Sequence, residues 1–232
     1  MDTQQAWYIK DSGFMERVDP HDRDVFLNTC PERTFEPGDK VFRIGDPATS
    51  LHIIAQGKIK LVRPTMDGHE RMVAVCGPDD FIGEAFLKES DSYQVEAVAM
   101  TAARTCPISR AQFKAVASRA PGFAVTFAEV LASHLFYCRD QLSATYDPVK
   151  IRVTKILLDQ AQRFGRPLAN GRCLLETELK HEDIASLASA TRVAVTMAVS
   201  ELRSDGALDG SRGRYELDLE RLRALTEGLA VN

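Results

Sequence analysis

Between residues 34 and 108, apolar and polar positions alternate in short runs closed by turn residues. Val41-Phe42-Arg43-Ile44 runs into Gly45-Asp46, and Leu51-His52-Ile53-Ile54 leads to Gly57. Ile59-Lys60-Leu61-Val62 leads to Met66-Asp67-Gly68, and Arg71-Met72-Val73-Ala74-Val75 to Gly77-Pro78. Alternation broken every ~8–12 residues predicts a small antiparallel barrel or sandwich. Asp67-Gly68 supplies the left-handed conformation that a tight hairpin demands.

The period then changes. Residues 112–145 contain no proline after Pro121, and Phe127, Leu131, His134 and Cys138 recur at spacings of four, three and four, with Gln141 or Leu142 next. This predicts one long amphipathic helix with a narrow seam, suited to pairing with the same helix of a second copy. Asp147-Pro148 breaks it, because proline disfavours helical geometry at the residue before it. The chain divides accordingly into a β-rich domain (1–118), a dimerisation helix (119–146) and a C-terminal domain (147–232), with the joint at Asp147-Pro148. A helix over 149–164 opens the last part, Gly165-Arg166-Pro167 ends it, and a polar loop runs to Gly171.

Residues 178–202 read as two helices around a tight turn. The first covers 181–188, with Ile184 and Leu187 inward; the turn is Ser189-Ala190, where glycine is usual. The second covers 192–203 and is opened by Thr191 as N-cap. Val195, Ala198, Val199 and Leu202 make its core face, and Arg192, Val193, Thr196, Met197 and Ser200 lie opposite. Such a pair presents the second helix to the DNA major groove. Two short strands, 207–209 and 214–217, flank Gly210-Ser211-Arg212-Gly213 and predict a wing whose Arg212 and Arg214 reach phosphates. The fold class is therefore α+β: a β-roll, a long helix and a winged helix-turn-helix.

Composition narrows the function. With 44% hydrophobic and 27% charged residues the chain can bury a core. Its net charge of −4 is uneven: residues 149–232 hold 13 basic against 12 acidic side chains, so the acidic excess lies in the first part. That fits a DNA reader with its basic groups on one face. No apolar run is long enough to span a membrane, and the N-terminus lacks a secretion signal, so a cytoplasmic location is expected. Cys30, Cys76, Cys106, Cys138 and Cys173 are too scattered for a disulfide framework or a zinc site and are expected to be reduced.

The whole chain, over about residues 15–220, resembles the cyclic-AMP receptor/FNR superfamily of bacterial transcription regulators. The resemblance is carried by Gly38-Asp39, Gly45-Asp46, Leu51-His52-Ile53-Ile54, Gly57-Lys58-Ile59-Lys60, Gly68, Gly77-Pro78-Asp79-Asp80-Phe81 and Gly83-Glu84. Asp79 stands in place of a family glycine. In the C-terminal third it is carried by Glu182-Asp183-Ile184-Ala185, Thr191-Arg192 and Leu202-Arg203. The resemblance implies a homodimer that binds double-stranded DNA, with RNA polymerase as a further partner and no membrane association. The dimer interface would run through Phe127, Leu131, His134 and Cys138.

The resemblance also implies an effector pocket for cyclic AMP or another small molecule, with Gly83 and Glu84 at the ribose. An Arg-Ser pair holds the cyclic phosphate in the family; here those positions fall on Tyr93 and Gln94, which carry no charge. A buried phosphate wants a charge-assisted partner, so no cofactor is assigned with certainty. Residues of the long helix that would approach the base fall on Tyr137, Cys138 or Arg139, and Arg139 could replace the missing charge. An oxygen-sensing iron–sulfur cluster needs closely spaced N-terminal cysteines, and the first thirty residues hold only Cys30. On DNA the resemblance assigns base reading to Arg192, Val193 and Met197, and phosphate contact to Lys180, His181 and Thr191. Arg192 suits guanine; Val193 and Met197 offer no hydrogen bond and could touch a thymine methyl.

Two functions of other classes place their own demands on the sequence. A metal-dependent barrel enzyme needs clustered histidines, and His21, His52, His69, His134 and His181 form no H-x-H pair, so neither a metal site nor enzymatic activity is expected. A cyclic-nucleotide sensor without DNA binding would leave the winged-helix segment unused.

Overall fold

The computed structural model describes residues 19–21, 31–65, 70–88, 91–168, 170–211 and 213–227. Two compact units separate between Leu135 and Phe136. The first contains β1 (Arg33–Phe35), β2 (Lys40–Phe42), β3 (Ser50–Gln56), β4 (Ile59–Pro64), β5 (Glu70–Cys76), β6 (Phe81–Ile82), β7 (Glu96–Ala99) and β8 (Ala103–Ser109). They form two four-stranded antiparallel sheets, in the orders β1-β8-β3-β6 and β2-β7-β4-β5. The strands on either side of Asp67-Gly68, β4 and β5, do pair, although that turn lies outside the described residues.

Strand β3 is buried on both faces, which is why Leu51-His52-Ile53-Ile54 is nearly continuous in apolar character. Ile54 joins Phe42, Ile59, Ile82, Tyr93 and Ala97 in one core cluster. Leu51 and Ile53 join Phe81, Phe86, Ile108, Phe123, Phe127 and Val130 in another. The turn before β6 depends on Asp79, which takes a left-handed φ of 68°, the region glycine enters most readily. Asp80 holds that turn by accepting from the Gly77 N–H at 2.7 Å.

The predicted single helix is two. α1 (Arg110–Arg119) begins at a capping box in which Ser109 Oγ accepts from Gln112 N at 3.2 Å and Gln112 Oε1 accepts from Ser109 N at 2.9 Å. It stops at Ala120, whose φ of −132° and ψ of 73° are non-helical. Pro121 forces this on its predecessor and then opens α2 (Pro121–Ala144), at a position where a missing N–H costs nothing.

The seam expected for a second copy is already covered. Phe127 is buried in its own unit, its ring 4.8 Å from Phe81 and 4.9 Å from Phe113. Leu131 packs on the same cluster, and the His134 ring lies 4.9 Å from Phe81. A 4-3-4 spacing marks an apolar helix face without saying what covers it, and here the chain's own barrel does. Cys138 is exposed.

The second unit is built on α3 (Val149–Phe164), with Val153, Ile156, Leu157, Leu158 and Ala161 buried. The Asp147-Pro148 turn lies within this unit and is braced: Arg152 Nη1 donates to Thr145 O at 2.6 Å, and Lys155 pairs with Asp147 at 2.5 Å. The stretch to Gly171, expected to be a polar loop, contains β9 (Arg166–Pro167) and precedes β10 (Cys173–Glu176). Then come α4 (His181–Leu187), α5 (Arg192–Ser204), β11 (Leu208–Ser211), β12 (Arg214–Leu217) and α6 (Leu219–Glu227), which was not anticipated. The wing hairpin is thus half of a sheet ordered β11-β12-β10-β9. Cys76, Cys138 and Cys173 are thiols, but Cys106 is disulfide-bonded, against the expectation of uniformly reduced cysteines. Spacing rules test for local pairs and are silent on which residues a fold brings together. Among the described residues no helix is long and apolar enough to cross a membrane.

One buried group makes the barrel pH-sensitive. His52 lies on β3 with Nε2 3.2 Å from Ser50 Oγ and Nδ1 3.2 Å from Thr105 Oγ1. Burial, with a smaller contribution from the Arg33 charge, lowers its pKa from 6.5 to about 4. Between these values the unfolded chain binds a proton that the folded one refuses. Stability is therefore full above pH 6.5 and falls as the pH drops towards 4. We expect this residue to withdraw about 2–3 kcal/mol between pH 7 and pH 4.5. Urea titrations of the wild type and of His52→Gln at both pH values check this: the variant should lack that share of the decline.

Candidate nucleic-acid interface and effector position

Helix α5 is held by its inward face. Val195, Ala198, Val199 and Leu202 are buried, leaving Arg192, Val193, Thr196, Met197 and Ser200 outward, as the 3.6-residue period requires. Thr191 Oγ1 accepts from Ala194 N at 3.2 Å and caps the helix. At the N-terminus of α4, Asp183 accepts from Lys180 N at 2.9 Å. The turn between the two helices rests on Ser189, whose φ of 48° is left-handed. A serine thus adopts the conformation that glycine usually supplies there.

The outward polar groups are not equivalent. Thr196 Oγ1 donates to Arg192 O at 2.9 Å, so its oxygen accepts from His181 Nδ1, also at 2.9 Å. This ties α4 to α5 and leaves His181 Nε2 as the ring nitrogen without that bond. Lys180 is exposed, with Glu182 at 3.4 Å. Arg192 is exposed and makes no ion pair among the described residues. In the wing, Arg214 is exposed, with its Nε 3.7 Å from Glu176; Arg212 lies outside the described residues. Gly210 and Gly213 have φ of 86° and 80°, and a Cβ at either would meet a backbone oxygen at 2.3 Å, so the wing turn requires them.

Two contacts escaped sequence reasoning because neither follows from a helical period, a capping rule or a turn signal. Lys150 on α3 reaches Asp205 at 2.7 Å and Glu201 at 3.5 Å, fixing the C-terminal end of α5; the hydrogen bond to Asp205 raises the lysine's pKa. Arg203 Nη2 donates to Gly210 O at 2.7 Å and binds α5 to the wing. An open groove of about 450 Å³ runs past Lys150, Met197, Ser200, Glu201, Ser204 and Asp205. No group of three or more potential metal ligands gathers among the described residues.

The barrel positions expected to hold an effector are arranged differently from a phosphate site. Tyr93 is buried, stacked on Phe42 with ring centroids 3.9 Å apart and planes 16° from parallel. Its hydroxyl donates to Ser50 O at 2.7 Å. Gly83 has a φ of 88°, and a Cβ there would lie 3.0 Å from the Tyr93 ring. Tyr93 is thus a core side chain in the place where the resemblance implies a phosphate-binding arginine. Glu84 and Gln94 are exposed, and the Gln94 amide donates back to Ser92 O at 3.0 Å. These four residues do not fit a cyclic phosphate: none offers a positive charge, and the tyrosine fills the interior. In the second unit Tyr137 is half-buried, Cys138 is exposed, and Arg139 is exposed with its guanidinium 5.9 Å from the Phe136 ring centroid.

Comparison with known proteins matches residues 32–120 to the cyclic nucleotide-binding domain and residues 151–225 to the Crp-like helix-turn-helix domain. The chain is 29% identical over 196 residues to the CRP-like cAMP-activated global transcriptional regulator of Mycobacterium tuberculosis, covering 84% of this chain and 87% of that protein. It is 30% identical over 175 residues to the global nitrogen regulator of Synechococcus elongatus, covering 73% and 77%. The c-di-GMP-responsive global regulator CLP of Xanthomonas campestris shares the fold at a TM-score of 0.70 and 21% identity, covering 86% of this chain and 99% of that one.

The left-handed serine in the helix-turn-helix is measurable. A non-glycine residue pays about 1–2 kcal/mol there, partly offset by the greater freedom of glycine in the unfolded chain. Ser189→Gly is expected to stabilise the protein by up to about 1 kcal/mol, and the β-branched Ser189→Val to destabilise it by about 1–2 kcal/mol. Urea midpoints of the two variants against wild type give the sign directly.

Proposed function

The chain belongs to the CRP/FNR superfamily and is a DNA-binding transcription regulator of that type; from this premise we propose that it grips a near-palindromic site as a homodimer, that Arg192 reads a guanine in each half-site, and that cyclic AMP is not required. The observation that carries the reading is the exposed Arg192, without an ion pair among the described residues, at the start of an α5 whose other face is core. A bidentate contact to guanine O6 and N7 discriminates by ~1–3 kcal/mol. Lys180, His181, Thr191 and Arg214 supply phosphate contacts, which set register without reading sequence. This action places the protein in the cytoplasm, with RNA polymerase as the machinery it instructs.

The dimer seam is the face of α2 opposite the barrel. Val125, Ala128, Ala132 and Leu135 are exposed at spacings of three, four and three, and Arg139, Leu142 and Tyr146 follow at four, three and four. Val125 is 60%, Leu135 52% and Leu142 70% exposed, an apolar stripe suited to a coiled-coil partner. Two such chains would present their α5 helices one helical turn of DNA apart, ~34–36 Å. Effectors differ among the relatives, one named as cAMP-activated and another as responsive to c-di-GMP. Kinship alone therefore does not select a ligand for this chain, and the buried Tyr93 argues against a cyclic phosphate at that position.

Three measurements test these statements. Leu135→Glu should convert the dimer to a monomer by light scattering, whereas Phe127→Ala should leave the dimer mass and cost about 3–5 kcal/mol of stability; a dimer indifferent to Leu135→Glu sinks the seam. Arg192→Ala should cost about 1–3 kcal/mol per half-site on the selected duplex and little on a scrambled one. Arg214→Ala should weaken both alike and flatten the salt dependence by about one unit of slope per monomer. DNA selected from a random pool should be the same with and without cyclic AMP; strict dependence on the nucleotide removes the last part of the proposal.

A further inference from the structure

We propose that Val193 and Met197 read the C5-methyl group of pyrimidines, so that this regulator tells thymine from uracil and accepts 5-methylcytosine in thymine's place. The inference rests on the docking of α5 in the major groove proposed above and names what the rest of its surface recognises.

Val193 and Met197 are 68% and 61% exposed, and they stand four residues apart on one helix face. They flank the hydroxyl of Thr196, which is occupied twice, by Arg192 O and by His181 Nδ1. The Thr191 oxygen is occupied by the Ala194 N–H. In the first two turns of α5, Arg192 is thus the outward polar side chain whose hydrogen-bonding edge is open among the described residues, and the remaining contact surface is apolar.

An apolar side chain responds to bases in a particular way. Thymine shows the major groove an O4 acceptor and a C5-methyl; cytosine shows an N4 donor and a bare C5. Valine and methionine cannot distinguish the acceptor from the donor, but they gain by covering the methyl. The unbranched Met197 can follow the position of that methyl without a fixed rotamer. A methyl removed from water is worth about fourfold in affinity, and about fifteenfold when one is supplied by each half-site. Uracil lacks the methyl and keeps every hydrogen-bonding group of thymine; 5-methylcytosine keeps the methyl and exchanges the acceptor for a donor. The two bases therefore separate methyl reading from hydrogen-bond reading.

The experiment uses the full chain and its selected duplex. The guanine read by Arg192 is located with Arg192→Ala, and the neighbouring thymines are replaced in turn by uracil, cytosine and 5-methylcytosine. Uracil is expected to weaken binding about fourfold per methyl lost, and 5-methylcytosine to bind about fourfold tighter per half-site than cytosine. The double variant Val193→Ala, Met197→Ala should bind the thymine and uracil duplexes equally. Equal binding of those two duplexes by wild type, with the preference over scrambled DNA intact, overturns methyl reading and leaves the docking standing. Loss of that preference itself overturns the docking, and methyl reading falls with it.

Discussion

The packing of Phe123, Phe127 and Val130 against Leu51, Ile53, Phe81 and Ile108 settles what each face of α2 can do. The Phe113 ring lies 5.4 Å from that of Phe123 and 4.9 Å from that of Phe127 along this contact, and burying these rings is among the largest stabilising contributions available to a barrel of this size. Once that face is committed to the chain's own β-roll, the opposite face is the one left for another molecule. The break at Ala120-Pro121 is part of the same constraint, because it lets α1 and α2 both contribute to this cluster.

The sequence was legible where a local rule and the tertiary structure agree. The run 149–164 is bounded by proline on one side and glycine on the other, and α3 has those limits. Helices α4 and α5 and the Thr191 cap followed from period and capping chemistry. The misreadings came where a pattern has two explanations. A seam of Phe127, Leu131, His134 and Cys138 looks the same whether a barrel or a second helix covers it; the rings around Phe81 decide the matter, and they come from 40 residues away or more. The rule that ended the long helix at Asp147-Pro148 applies equally at Ala120-Pro121, where Pro121 ends one helix and begins another. Strand β10 was hidden because Cys173-Leu174-Leu175 is too short to show a period, and its identity comes from pairing with β12.

In the candidate site, residue identities were readable but their states were not. The exposure of Arg192 and the apolar pair beside it follow from helical period. That Thr196 is spent on His181 and Arg192 does not, because the histidine comes from the preceding helix. Asp79 and Ser189 adopt left-handed backbone, the region glycine enters most readily. Surrounding hydrogen bonds help hold such residues there, as with the Asp79 N–H donating to Ile54 O at 2.7 Å.

Tyr93 has a thermodynamic consequence. A chamber that waits for a soluble ligand gains stability in proportion to the logarithm of that ligand's concentration. Tyr93 is tethered to the wall it stacks on, so its contacts with Phe42 and Ser50 are formed at any composition of the surroundings and cannot be diluted away. Through this position the folding equilibrium of the barrel contains no ligand activity.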